Sequence, residues 1–441
     1  MSHTQASVRK ALANPQLGAA VLRSCKHSLS SRDWVMSELE DLDSRRDQAR
    51  AVRQDMLDNH YELLLKFIRS FQNSGGVLHQ AEDAFEARMT AVRLLRERGL
   101  HWGVKSKSMV SEEIELSRAL TEAGIDAVES DLGEFIVQLA GEPPSHITAP
   151  ALHKTRAEIG KLFEEKLGLA YTDDPTALAR AARVHLRKRF VEAEFGIAGA
   201  NFLIAETGHI IIVENEGNAR MGTAIPSVLV VVTGIEKVVR DLSGLAVLLQ
   251  LLGRSATGQR FPGGINLIRP GRYGEDGPRE LHLILVDNGR RQVLTDPTFQ
   301  EMMLCVRCGA CLNICPVYRT VGGHAYESVY PGPMGAVLSN LLGPDPDNHR
   351  ELPYLSTLCG ACREVCPVKI DLPRMLLELR SRADKPFIER TAAATWSYVM
   401  SNQARLGLVG WMVRHAAGIL PKQLFGGWLK AGEKAFREKQ D

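Results

Sequence analysis

The chain has 441 residues, 44% apolar and 24% charged, with 54 basic against 52 acidic side chains and a formal net charge of +2. That length is a prior for two or three domains, and the composition is that of an ordinary soluble chain. So small a net charge gives no footing for nucleic-acid binding by counterion release.

No run reaches the ~18 uncharged apolar residues expected of a membrane-crossing helix. The first twenty residues are polar and lack the apolar core of a signal peptide, so a cytoplasmic chain is expected. Residues 1–71 read as a charged helical segment, with apolar positions at helical spacing from Tyr61 to Ile68. Asn73-Ser74-Gly75-Gly76 ends it.

From 72 to 295 helix and strand alternate. An amphipathic helix is expected over 81–98, stopped by Gly99, and another from Ser111 to Gly124. Residues 125–128 and 135–139 are short apolar pieces. Asp174-Pro175 starts a helix through the basic stretch 180–189, read as a solvated face with partner docking as the alternative. Residues 201–205 and 209–213, joined at Thr207-Gly208, read as a hairpin. Strands at 228–232 and 281–286 flank a Leu-rich helix at 242–252. The alternation predicts an α/β domain with a largely parallel sheet.

Residues 296–383 carry seven of the eight cysteines, with helices expected at 334–342 and 372–382. The tail, 384–441, is helical in pattern and carries Trp396, Trp411 and Trp428. Such an aromatic tail suits a partner subunit, the core, or a peripheral seat at the inner membrane face.

The first cysteine motif is Cys305-x-x-Cys308-x-x-Cys311-x-x-x-Cys315-Pro316, and the second is Cys359-x-x-Cys362-x-x-x-Cys366-Pro367. A four-iron cube needs a ligand on each iron. Two residues between thiolates let one tight loop wrap three corners, and the last cysteine of the run reaches a second cluster. This logic assigns Cys305, Cys308, Cys311 and Cys366 to cluster one, and Cys315, Cys359 and Cys362 to cluster two. Zinc is the competing reading, but the triple spacing of the first motif overshoots one tetrahedron. Gly309 and Gly360 would let backbone N–H groups approach the cluster sulfur. The second motif is one thiolate short, with Ser356 at the vacant position. A four-iron cluster with a non-cysteine ligand or an open iron, and a three-iron cluster, all remain compatible. The long connection between the motifs suggests an α-helical ferredoxin-like domain. Cys25 stands apart as a free thiol.

Beyond the cysteines, the chain resembles the lactate-utilisation protein B family. The resemblance rests on Lys105-Ser106-Lys107-Ser108-Met109-Val110, on residues 129–136 and 142–146, on Ala205-Glu206-Thr207-Gly208, on residues 214–220, and on both cysteine motifs. It implies a lactate-utilisation domain of the isomerase and coenzyme A transferase-like kind, followed by the α-helical ferredoxin-like domain with two [4Fe-4S] clusters. It also implies an electron-relaying subunit of a complex that oxidises L-lactate to pyruvate. The expected partners are a cysteine-rich iron–sulfur subunit and a second lactate-utilisation-domain subunit. The alternative is a catalytic subunit that binds substrate at the three-cysteine cluster or in the α/β cleft.

Two polar groups in the α/β part are candidates for such a cleft. Glu206, Glu214, Asn215, Glu216 and Asn218 surround the hairpin, and His146, His153 and Lys154 follow a Pro-rich loop. Ordinary turn chemistry accounts for the same residues. His324, Tyr326 and Tyr330, between the motifs, read as packing beside a cluster.

Overall fold

The structure, a computed structural model, describes residues 3–271, 277–343, 349–383 and 387–416. Six strands form a parallel sheet: β1 (Val77–Ala81), β2 (Trp102–Lys105), β3 (Asp126–Glu129), β4 (Phe195–Gly199), and two further strands at Val228–Gly234 and Glu280–Val286. Four shorter strands intervene in sequence. Numbered in chain order they are β5 (Phe202–Ile204), β6 (Ile210–Glu214), β8 (Val238–Val239) and β9 (Gly264–Ile268), which makes the two sheet strands β7 and β10. The spatial order of the large sheet is β1-β10-β7-β4-β2-β3, and every pairing is parallel. All seven residues of β7 are buried, as a strand covered on both faces by helices requires.

The hairpin does not join that sheet. β5 and β6 pair antiparallel and belong to a second, mixed sheet of order β8-β5-β6-β9. Several boundaries move relative to the sequence reading. The helix expected from residue 81 begins at Ala84, because Ala81 closes β1 and Asp83 caps the helix by accepting from the Glu86 N–H at 2.8 Å. The helix expected over 111–124 is two helices, Met109–Glu113 and Leu116–Glu122, separated where Glu115 turns to φ 52°. Residues 135–139 lie inside the helix Leu132–Ala140, and the helix expected at 334–342 is Gly332–Leu338.

Four helices, His3–Leu12, Pro15–Ser37, Leu42–Asp58 and His60–Asn73, precede the sheet. Their apolar faces share one core with the mixed sheet, one face of the parallel sheet and the cysteine-bearing segment. Cys25, Met56 and Phe67 are buried in the same cluster as Leu203, Leu229, Tyr318 and Met375. A second cluster covers the other face of the sheet, beneath the helix Ala84–Glu97.

The chain divides into two compact units, residues 1–381 and 382–441. In the second, the helices Phe387–Met400 and Gln403–Ala416 carry Trp396 and Trp411, both exposed. Trp428 lies outside the described residues. Among the described residues no helix is long and apolar enough to cross a membrane.

Candidate metal centre and the adjoining cleft

The two cysteine motifs fold as near copies. Arg307 and Leu358, each preceding a cysteine, adopt left-handed φ of 58° and 55°. Gly309 and Gly360 follow at 77° and 87°, each capping a short helix, Ala310–Ile314 or Ala361–Glu364. A side chain at either glycine would be strained, which explains glycine there. This alternation turns successive amides inward. The Arg307 N–H donates to Cys305 Sγ at 3.4 Å, and the Ala310 and Ala361 N–H groups reach Cys308 and Cys359. In the second copy, the Leu358 N–H donates to Ser356 Oγ at 3.1 Å. Ser356 therefore takes the hydrogen bond that Cys305 takes in the first copy.

Cys305, Cys308, Cys311 and Cys366 line one small cavity, closed by Met302, Met334 and Ile370. Burial raises the Cys311 thiol well above its ordinary pKa, and Cys305, Cys308, Cys362 and Cys366 raise it further. Burial pushes Cys308 up to about 12, with Cys366 adding to it, and Cys366 up to about 11. Cys315 and Cys359 act on Cys362, which burial drives to about 12. Cys359 is the exception: it is exposed, and hydrogen bonds from the Ala361 amide and the Thr357 side chain lower it. Buried thiols that disfavour one another's ionisation need a cation to become thiolates. Among the described residues no three His, Cys, Asp or Glu side chains converge as a single-ion site. Zinc draws four ligands to roughly 2.3 Å of one point, whereas the thiolates of a cubane stand on four separate irons. The donor set fits iron–sulfur clusters.

Sequence reasoning missed what holds these loops. Arg46, Arg50 and Arg53 lie on one face of the helix Leu42–Asp58. Arg46 donates twice to the Cys366 carbonyl, at 3.1 and 2.9 Å. Arg50 donates to the Lys369 carbonyl at 2.8 Å. Arg53, fully buried, donates to the carbonyls of Met303 and Leu304 ahead of the first motif, and to those of Glu236 and Val238. The i, i+4, i+7 spacing was visible; its targets, some 180 to 320 residues away, were not.

A cleft of about 250 Å³ opens beyond the carboxyl ends of β2, β3 and β4, the usual place for a ligand in an open α/β sheet. Glu214, Asn215, Glu216 and Asn218 line it, as do Ser106, Lys107 and Asp131 from the segments that follow β2 and β3. Three of the segments that carry the family resemblance, residues 105–110, 129–136 and 214–220, thus converge. Glu206 stays outside, exposed in the hairpin turn. His146, His153 and Lys154 are also absent from the lining and have internal partners. His146 Nδ1 accepts from the Thr148 and Ala149 amides, and His153 and Lys154 both meet Glu142. Burial pushes His146 down to about 3, so it stays neutral. Tyr326 is buried beside Cys315, Tyr330 donates to Glu113 at 2.6 Å, and His324 meets the Pro143 carbonyl.

Lys237 and Arg307 also line the cleft. Burial lowers the Lys237 ammonium to about 8 against the pull of Glu236. Arg307 also lines the cysteine cavity, so the two spaces share this residue. A charged Glu-Lys pair at the end of a buried apolar strand, and an arginine inside a ligand loop, were the signals available for these residues.

Comparison with known proteins accords with this arrangement. Residues 64–286 match the LUD domain and residues 301–370 match the 4Fe-4S dicluster domain. The chain is 44% identical over 381 residues to lactate utilization protein B of Bacillus cytotoxicus, covering 85% of this chain and 80% of that protein. The protein of the same name from an Exiguobacterium species is 46% identical over 372 residues, covering 83% and 79%. That of Bacillus velezensis is 45% identical over 376 residues, covering 85% and 79%. A LUD domain joined to a 4Fe-4S dicluster domain defines an iron–sulfur protein with an α/β domain ahead of its cysteine motifs. The chain belongs to the lactate utilization protein B family.

Proposed function

We propose that the chain is the electron-carrying iron–sulfur subunit of a complex that oxidises L-lactate to pyruvate. The supporting observation is the sorting of seven cysteines into two sets, each drawn from both motifs. Cys305, Cys308, Cys311 and Cys366 would hold one [4Fe-4S] cluster. Cys315, Cys359 and Cys362 would hold a second, with the Ser356 hydroxyl at the vacant corner. Each bound cluster accepts one electron, so two clusters match the two electrons that a hydroxy acid releases on becoming an oxo acid. Exchanged cysteines keep the two sites adjacent, as a relay needs. Partners would be a cysteine-rich iron–sulfur subunit and a second subunit carrying a lactate-utilisation domain, with electrons leaving to a redox acceptor.

The test is anaerobic. The isolated chain is expected to carry iron and sulfide for two clusters, to remain EPR-unchanged with L-lactate, and to be reduced by dithionite. Iron for one cluster would sink the two-cluster assignment. Reduction by lactate alone would favour the second reading, catalysis by this chain, which the nearness of the cleft to the cysteine cavity supports.

Ser356→Cys supplies a thiol where the Leu358 amide is already aimed. The variant is expected to give an ordinary four-thiolate second cluster with an altered EPR signal and a shifted potential. An unchanged spectrum and potential would mean that the side chain at 356 does not reach the cluster.

A further inference from the structure

We infer that Glu129 and Glu134 form a buried carboxyl pair that binds one proton and exchanges it with the cleft, so that the α/β domain carries a proton donor and acceptor of its own. The inference is independent of the iron–sulfur reading and of which ligand the cleft takes.

Both side chains stand at the carboxyl end of β3. Glu129 is its last residue, and Glu134 lies in the first turn of the helix Leu132–Ala140. They are 4% and 2% exposed. Asp131 caps that helix by accepting from the Glu134 N–H at 3.1 Å. A glutamate in this place commonly reaches back to the amide of the capping residue, as Glu158 does to Thr155. Glu134 makes no such return bond, and its Oε1 is buried without a hydrogen-bond partner.

Glu129 is satisfied on one side only. Its Oε1 accepts from Lys105 Nζ at 2.6 Å, across the register pair that joins β2 to β3. Its Oε2 is buried and unpartnered. Lys105 is itself shared, because it also donates to Glu112 at 2.8 Å. A buried carboxylate oxygen without a donor is strongly disfavoured. One proton answers both orphan oxygens, since a neutral acid donates to the carboxylate beside it. Burial raises both carboxyls, and after burial Glu129 is the strongest influence raising Glu134, which is pushed up to about 8.

The other charges acting on the pair are Lys105 and Lys107, which lower it, and Glu112 and Asp131, which raise it. Lys107, Asp131 and Ser106 line the cleft. Ser106 and Ser130, which follow the ends of β2 and β3, both have buried hydroxyls without partners. A hydroxyl donates and accepts, so these groups can hand a proton on between the pair and the cleft. An acid that titrates close to neutrality serves as donor while it holds its proton and as acceptor once it has lost it.

The test is infrared spectroscopy of the full chain with its clusters loaded, titrated across neutrality. The carbonyl band of a protonated carboxylic acid, shifted in D2O, is expected to persist where ordinary glutamates, with a pKa near about 4.3, are ionised, and to fade near about 8. Glu134→Gln should abolish it. The amide can donate to Glu129 as the acid does, so this variant should fold. Its stability relative to the parent should rise with pH. The unfolded parent loses this proton near about 4.3 and the folded parent keeps it to about 8, so the parent loses stability across that interval and the variant does not. Glu129→Gln should lower the midpoint of the band and Lys107→Met should raise it, each by about one pH unit, a tenfold change in proton affinity. The inference is overturned if the parent lacks the band at neutral pH, if Glu134→Gln retains it, or if Glu129→Gln leaves its midpoint in place. An unmoved midpoint in Lys107→Met would overturn the link to the cleft. The parent spectrum decides the first point even where a variant does not fold. Iron and sulfide, assayed in every sample, report on the clusters alone, so failure of the iron–sulfur reading is distinct.

Discussion

Cys366→Ser is expected to remove the cluster of the first motif, although the residue belongs to the second. Cys366 lines the same cavity as Cys305, Cys308 and Cys311, and its thiol feels Cys305. Iron and sulfide should fall by about half, with the loss equal to that in Cys311→Ser. The remaining EPR signal should be the one that Cys315→Ser eliminates. Serine keeps the backbone turn and the N–H bond from Ile370, so the loop itself should persist. If Cys366→Ser and Cys362→Ser abolish the same signal, each motif ligates its own cluster and the exchange is wrong.

Arg290→Met should be the most damaging change away from the cysteines. Arg290 is fully buried, and its Nη1 and Nη2 each donate to Glu113 at 2.7 Å while Nε donates to Glu236. Removing one partner of a buried charged network costs about 3–5 kcal/mol, because the other charges are left uncompensated. Methionine fills much of the space, so the loss reports charge more than volume.

The pH dependence carries a sign. Burial, the largest influence, would raise the Glu113 and Glu236 carboxyl pKa values, but Arg290 together with Tyr330 and Asn288 at Glu113, and with Lys237 and Arg307 at Glu236, holds both below the ordinary value. Their folded pKa values lie below the unfolded value near about 4.3, so their stabilisation is complete above that pH and is lost only as acid passes through the lower folded values. Without Arg290, burial prevails and the folded values rise. The variant should then recover part of its deficit as pH falls toward that unfolded value, in urea melts at matched iron content. A deficit below about 1 kcal/mol, or one constant with pH, would show that the network is not held by this charge.

The cysteine loops were legible because cluster ligation is written in local spacing. Ser356 was legible for the same reason, since its register against Cys305 is a count along the chain. The hairpin was legible from its turn, but not its sheet, because nothing local to residues 201–213 specifies which strands they pair with. β9 gave no signal: Gly264 and Asn266 interrupt its alternation, and it is only partly buried. β2 is four residues long and ends on Lys105, whose charge makes sense only beside Glu112 and Glu129. Burial alone would lower that lysine, but these carboxylates hold it above its ordinary value.

The cleft was half legible. Glu214, Asn215, Glu216 and Asn218 reach it because the turn after β6 opens onto it, whereas Glu206 occupies the opposite end of the same hairpin. Lys237 and Arg307 gain their roles from packing between segments seventy residues apart, which no window of sequence contains.

The three arginines of the helix Leu42–Asp58 also order events during synthesis. Their carbonyl acceptors extend to Lys369, so the helix cannot engage its full set of targets until the second motif has left the ribosome. A nascent chain that has emerged only as far as Cys315 lacks Cys366 and the backbone that Arg46 grips. On the proposed ligand assignment, completion of the first site would be a late step of biogenesis, and a chain ending between residues 311 and 365 would leave that site with three thiols and without the backbone that Arg46 grips.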